Sequence, residues 1–145
     1  MAASQRETIL KALKTCLEGI TTENGYALSV QQVRRGVHLA KEMSNRPALG
    51  VTGLRTRRAE GGSGTSQKTL QAMIYGYIDL QPDDYDPLDD LIQAVETRLM
   101  TPAAWSYYGW TDIREIVTYE GGIQDRMGYF DMELEITFFH GWAAP

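Results

Sequence analysis

Hydrophobic residues recur along the chain with two different periods, and the change of period predicts its elements. Ile9, Leu10, Leu13, Leu17 and Ile20 fall at three- and four-residue spacing, with Cys16 beside them, as on one face of an amphipathic helix. Ser4 and Glu7 form an S-x-x-E capping box ahead of that run, and Thr21-Thr22-Glu23-Asn24-Gly25 closes it. A helix is therefore predicted over about Ser4 to Ile20. Residues 26–35 read as a strand with Leu28 and Val30 prominent, although the alternation slips at Gln31-Gln32. Gly36 to Pro47 can hold a short helix, ended by Asn45-Arg46-Pro47. Ala48 to Leu54 reads as a short strand weakened by Gly50 and Gly53. The basic, glycine-rich segment that follows, at about 55–68, has no large apolar anchor and reads as a mobile loop.

Thr69 to Leu80 is a long predicted strand, with Leu70, Ala72, Ile74, Gly76 and Ile78 on one face and Met73, Tyr75 and Tyr77 on the other. Pro87, preceded by Asp83, Asp84 and Asp86, opens a second helix whose buried stripe is Leu88, Leu91, Ile92, Val95 and Leu99. Thr101-Pro102 stops it. An aromatic loop, AAWSYYGWTD, leads to a strand over Asp112 to Glu120, and Gly121-Gly122 turns it into a last strand over Met127 to Phe139. There the alternation is cleanest: Phe130, Met132, Leu134, Ile136 and Phe138 point inward, and Asp131, Glu133, Glu135 and Thr137 outward. The element order predicts a single α+β domain over residues 1–145. Its sheet is antiparallel or mixed, of about four to five strands, with two main helices packed on one face.

Size and composition agree with one globular domain: 145 residues, 43% hydrophobic and 23% charged. No apolar run approaches the roughly 20 residues that span a bilayer, and MAASQRETIL lacks the pattern of a signal peptide, so no membrane partner is expected. One cysteine excludes an intramolecular disulfide framework. The net charge of −5 changes the picture only when divided. Residues 1–68 carry eleven Lys and Arg against five Asp and Glu, and residues 69–145 carry three against fourteen, so +6 stands beside −11. Such a molecule suits pairing with copies of itself or with unlike partners at two surfaces.

Candidate chemistry is sparse. Gly62-Ser63-Gly64-Thr65-Ser66-Gln67-Lys68-Thr69 resembles a phosphate-binding loop, but Gln67 stands where the second glycine belongs, and a strand pattern follows instead of a helix. His38 and His140 have no partner at metal-ligand spacing, and Cys16 lies on an apolar helix face. The acids at 83–90 lack calcium-loop spacing and read as helix N-terminal charge. No catalytic, cofactor-binding or metal residues are therefore assigned. Arg55, Arg57, Arg58 and Lys68 are candidates for a docking loop, and Arg34, Arg35, Asp131, Glu133 and Glu135 for inter-subunit contact or the lining of an acidic channel. Basic and aromatic residues are segregated, ten of the fourteen aromatics lying between Trp105 and Trp142, which weakens a nucleic-acid platform.

The layout resembles the tail-terminator, or tail-completion, proteins of long-tailed bacteriophages, of the lambdoid minor tail protein U type. The resemblance rests on LEGITTENGYALSV, the VRRG after the first strand, PALGVTGL, the long strand LQAMIYGYIDL, the helix PLDDLIQAVETRL and the closing MELEITFFHGW. It covers nearly the whole chain without an invariant motif, and AAWSYYGWTD and HGWAAP have no counterpart in it. The resemblance implies an α+β structural virion protein that is not an enzyme and needs no cofactor. It implies a homohexameric ring that caps the tail tube, stops its polymerisation and joins it to the head connector, with genome DNA passing through without specific binding. Assembly would take place in the host cytoplasm, and the mature location would be the tail or neck. The alternatives are another head–tail joining protein, or a small nucleotide- or nucleic-acid-binding protein using the basic Gly-rich loop.

Overall fold

The computed structural model describes residues 5–38, 40–58, 66–101, 109–120 and 126–140. They form α1 (Gln5–Glu18), β1 (Gln32–Arg35), β2 (Ala48–Arg58), β3 (Ser66–Asp79), α2 (Asp86–Leu99), β4 (Gly109–Glu120) and β5 (Met127–His140), with 3-10 turns at Thr22–Asn24 and Ala40–Glu42. The fold is α+β, with a five-stranded mixed sheet in the order β1-β2-β3-β5-β4. β1 runs parallel to β2, and every other neighbouring pair is antiparallel. The connection through α2 carries the chain from β3 over β5 to the far edge, and β5 then returns between them.

Both helices lie on one face of the sheet because their apolar stripes match it. Leu10, Leu13 and Leu17 of α1, with Leu88, Leu91 and Val95 of α2, bury against Val51, Ile74, Met132, Leu134 and Ile136. Leu70, Ala72 and Ile74 of β3 stand opposite Ile136, Leu134 and Met132 of β5, so the period-2 pattern of both strands fixes a single register. The helix ends are tied together as well: Arg98 Nε donates to Cys16 O at 2.8 Å. Pro87 occupies the first turn of α2, and the Asp84 carboxylate accepts from Asp86 N at 3.2 Å.

Three sequence expectations need correction. The strand expected over 26–35 is confined to Gln32–Arg35. Tyr26, Leu28 and Val30 instead pack their side chains on the core as irregular chain, anchored where Val30 N donates to Ile20 O at 2.9 Å. The mobile loop expected at 55–68 is strand at both of its ends: Arg55, Arg57 and Arg58 continue β2, and Lys68 lies opposite Arg58 near the start of β3. Arg55, Thr56 and Arg57 are exposed, so this stretch of β2 carries no buried apolar pattern although it is paired throughout. Residues 59–65 lie outside the described residues. The strand expected from Asp112 begins at Gly109, which takes Trp110 out of the predicted aromatic loop. The capping box at Ser4, the aromatic residues 105–108 and the turn at Gly121-Gly122 lie outside the described residues.

Candidate functional site

The sheet face away from the helices is where the charged side chains gather. The segment after β1 folds back over part of it. Gly36 takes φ +92°, a conformation that favours glycine, and turns the chain onto this face. There the Tyr75 hydroxyl donates to Gly36 O and accepts from His38 N at 2.7 Å, while the Tyr77 hydroxyl donates to His38 O at 3.0 Å. Gly50 lets the Tyr75 ring lie against the backbone of β2, since a Cβ there would stand 2.0 Å from Tyr75 Cζ. Met43 is fully buried.

Across the remaining open face, charge is ordered by strand. β1 and β2 carry five arginines and no acid; β3 carries Lys68 and Asp79; β4 and β5 carry six acids and one arginine. Arg55 and Arg57 stand opposite Gln71 and Thr69, which places them on the open face together with Arg34, opposite Gly50. Arg35 and Arg58 occupy alternate positions. Asp131, Glu133 and Glu135 line the open face of β5, as the alternation predicts. The structure thus brings Arg34, Arg55 and Arg57 to one side of a single face and the three acids to the other.

Sequence reasoning missed the contribution of β4. Asp112 and Glu115 stand opposite Glu135 and Glu133, with a register shift between Ile113 and Glu115 that leaves Arg114 as the extra residue. The signal was present: Ile113 and Ile116 both pack toward the core although three residues apart, which a regular strand does not allow. Arg114 donates to Glu135 at 2.8 Å and lies 4.0 Å from Asp112. The Arg114 hydrogen bond holds the Glu135 carboxyl below its ordinary value, with Gln71 and Arg57 acting in the same direction. Among the described residues, Glu133 and Glu115 form no ion pair.

At the other end of the same face runs a tyrosine ladder. Tyr77 packs on Tyr129 with ring centroids 5.1 Å apart, and Tyr129 on Tyr119 at 5.4 Å. Burial, then the neighbouring Asp131 carboxylate, push the Tyr129 phenol up to about 12.

Elsewhere the chemistry stays structural. Cys16 is buried, and its thiol is pushed up to about 11 by desolvation against the opposing Arg98 charge. A groove of about 450 Å³ lies between residues 24–27 and the C-terminal half of α2, where Arg98 sits 5.9 Å from the Tyr26 ring centroid. Among the described residues, no group of three His, Cys, Asp or Glu could hold a metal ion, and no helix is long and apolar enough to cross a membrane. Ser66, Gln67 and Lys68 begin a strand, so the glycine-rich segment does not open a helix as a phosphate-binding loop requires. His38 sits in the segment after β1, and His140 ends β5. No family model and no curated protein matches the chain.

Proposed function

We propose that the chain is a structural subunit that assembles head to tail into a ring, acting as the tail terminator of a long-tailed bacteriophage. The observation that carries this reading is the order of charge across the sheet, basic at the β1–β2 side and acidic at the β4–β5 side. A surface with unlike sides is complementary to the same surface of another copy, because basic residues of one can meet acids of the next. Where each copy turns its basic side to one neighbour and its acidic side to another, the contact is heterologous, the kind from which closed rings are built. The terminator role itself comes from the resemblance in layout. The chain then works by shape and contact rather than by catalysis: the ring caps the tube, halts its growth and offers its second surface to the head connector. No cofactor is needed, and DNA passes through without base-specific contacts.

Purified chain added to a polymerising tail-tube protein tests this directly. Tube growth should stop at lengths set by the time of addition, with a ring of density at one tube end in negative-stain images. Tubes that lengthen as fast with the chain as without it would overturn the proposal.

A further inference from the structure

Among the described residues, the acidic side of the sheet is left electrostatically incomplete. Glu115 and Glu133 face each other directly across β4 and β5, with Asp131 two residues along the same face. Like charges in opposed positions destabilise a sheet. Arg114, the one arginine on these strands, is committed to Glu135 and Asp112. On β2, Arg55 and Arg57 form no ion pair with any described residue. β3 separates them from Glu115, Asp131 and Glu133 by two to three strand spacings, about 10–14 Å; Arg57 acts on Glu135 across it, but neither arginine forms an ion pair with those three acids.

We infer that these are the two halves of one self-interface, in which Arg55 and Arg57 of one copy dock against Glu115, Asp131 and Glu133 of the next. The proposal rests on the ring reading and names its seam. The pitch matches: Arg55 and Arg57 are two residues apart on one strand face, as are Asp131 and Glu133, and both spacings are about 6.6–6.8 Å. Apolar surface lies beside both strips. Leu54, within the β2 bulge, is 52% exposed and Val37, after β1, 73%; Tyr119 on β4 is 54% exposed. Arginine and tyrosine are the residue types that carry most energy at interfaces. A second copy is the occupant because one chain supplies both complementary strips at opposite sides of its sheet.

Charge reversal tests the seam. Self-association is measured by sedimentation equilibrium at about 0.05 M salt for wild type, for Arg55→Glu/Arg57→Glu, for Glu115→Lys/Glu133→Lys, and for the chain carrying all four changes. Each double variant should associate at least about tenfold more weakly than wild type. The four-fold variant, and a mixture of the two double variants, should recover association, because each restores opposite charge at every seam. Unchanged circular dichroism confirms that the variants fold. The milder Glu115→Gln/Glu133→Gln variant should weaken association without loss of folding stability, which a purely structural role would not do. Double variants that associate like wild type, or folded four-fold variants that fail to recover, would overturn this seam. Those results leave the ring reading intact if wild type still associates and still stops tube growth; loss of tube capping by wild type would instead remove the ring reading.

Discussion

Replacing Glu133 by Gln removes one of two carboxylates that face each other across β4 and β5, and the isolated chain should gain stability. Opposed positions in an antiparallel pair hold their Cβ atoms about 4.5–5.5 Å apart, and like charges there cost about 0.2–1 kcal/mol. Asp131, about 6.7 Å along the same strand face, adds about 0.6 kcal/mol of repulsion in unscreened water. The expected gain is therefore about 0.8–1.6 kcal/mol before salt screening, against a background in which most substitutions destabilise. Urea unfolding at concentrations low enough to keep the chain monomeric measures it, as a higher midpoint with an unchanged slope. The gain should shrink towards zero at about 1 M salt, where the screening length falls to about 3 Å. Destabilisation at low salt would refute the reasoning, because Glu133 would then have a favourable partner within its own chain. A gain undiminished by salt would refute it too, since the cause would not be charge.

Tyr75→Phe deletes a hydroxyl that both donates to Gly36 O and accepts from His38 N, so it should cost about 1–3 kcal/mol in urea unfolding; a loss below about 0.5 kcal/mol would mean the segment after β1 is held by packing alone. Tyr129 keeps its proton to about pH 12 when folded but only to about 10 when unfolded, so its contribution is fully present below pH 10 and is lost as pH rises through 12. Tyr129→Phe should accordingly flatten the alkaline fall in stability between those values, and an identical alkaline profile would contradict the assignment. Cys16, buried and pushed up to about 11, should resist thiol reagents at pH 8 in the folded chain and react fully in urea; rapid labelling of the native protein would show the helix pair to be open.

What the sequence revealed, and what it hid, follows from where side chains are buried. β5 was readable residue by residue because one face is core and the other is not, so burial alternates from Phe130 to Ile136; the pattern breaks at Thr137, which is buried on the open face. The outer half of β2 was hidden for the opposite reason. Arg55, Thr56, Arg57 and Arg58 pair with Lys68 to Gln71 close to or past the edge of the core, where burial imposes little pattern. Residues 26–31 misled in turn: Leu28 and Val30 are apolar and two apart, yet they serve the core without a strand partner. The bulge at Arg114 broke the rhythm of β4 and with it the view of Asp112 and Glu115 as neighbours of Glu135 and Glu133.

The charge split along the chain was legible as arithmetic but not as geometry. It becomes a property of the surface because the strand order keeps the two halves of the sequence apart. β1 and β2 lie on one side, β5 and β4 on the other, and β3, which carries one charge of each sign, lies between them. An order that interleaved early and late strands would have paired arginines with acids inside each chain and left nothing for a neighbour. The acidic row at Asp131, Glu133 and Glu135 was expected at an inter-subunit surface or a channel wall. The unrelieved opposition of Glu115 and Glu133 favours the first of these for Asp131 and Glu133, while Glu135 is already satisfied by Arg114.

Sedimentation velocity across a range of concentrations at low salt most directly tests head-to-tail assembly. The predicted result is growth past the dimer to a closed species near six times 16.3 kDa, which salt disperses. A particle that stops at two copies, or a monomer at every concentration and salt, would contradict it.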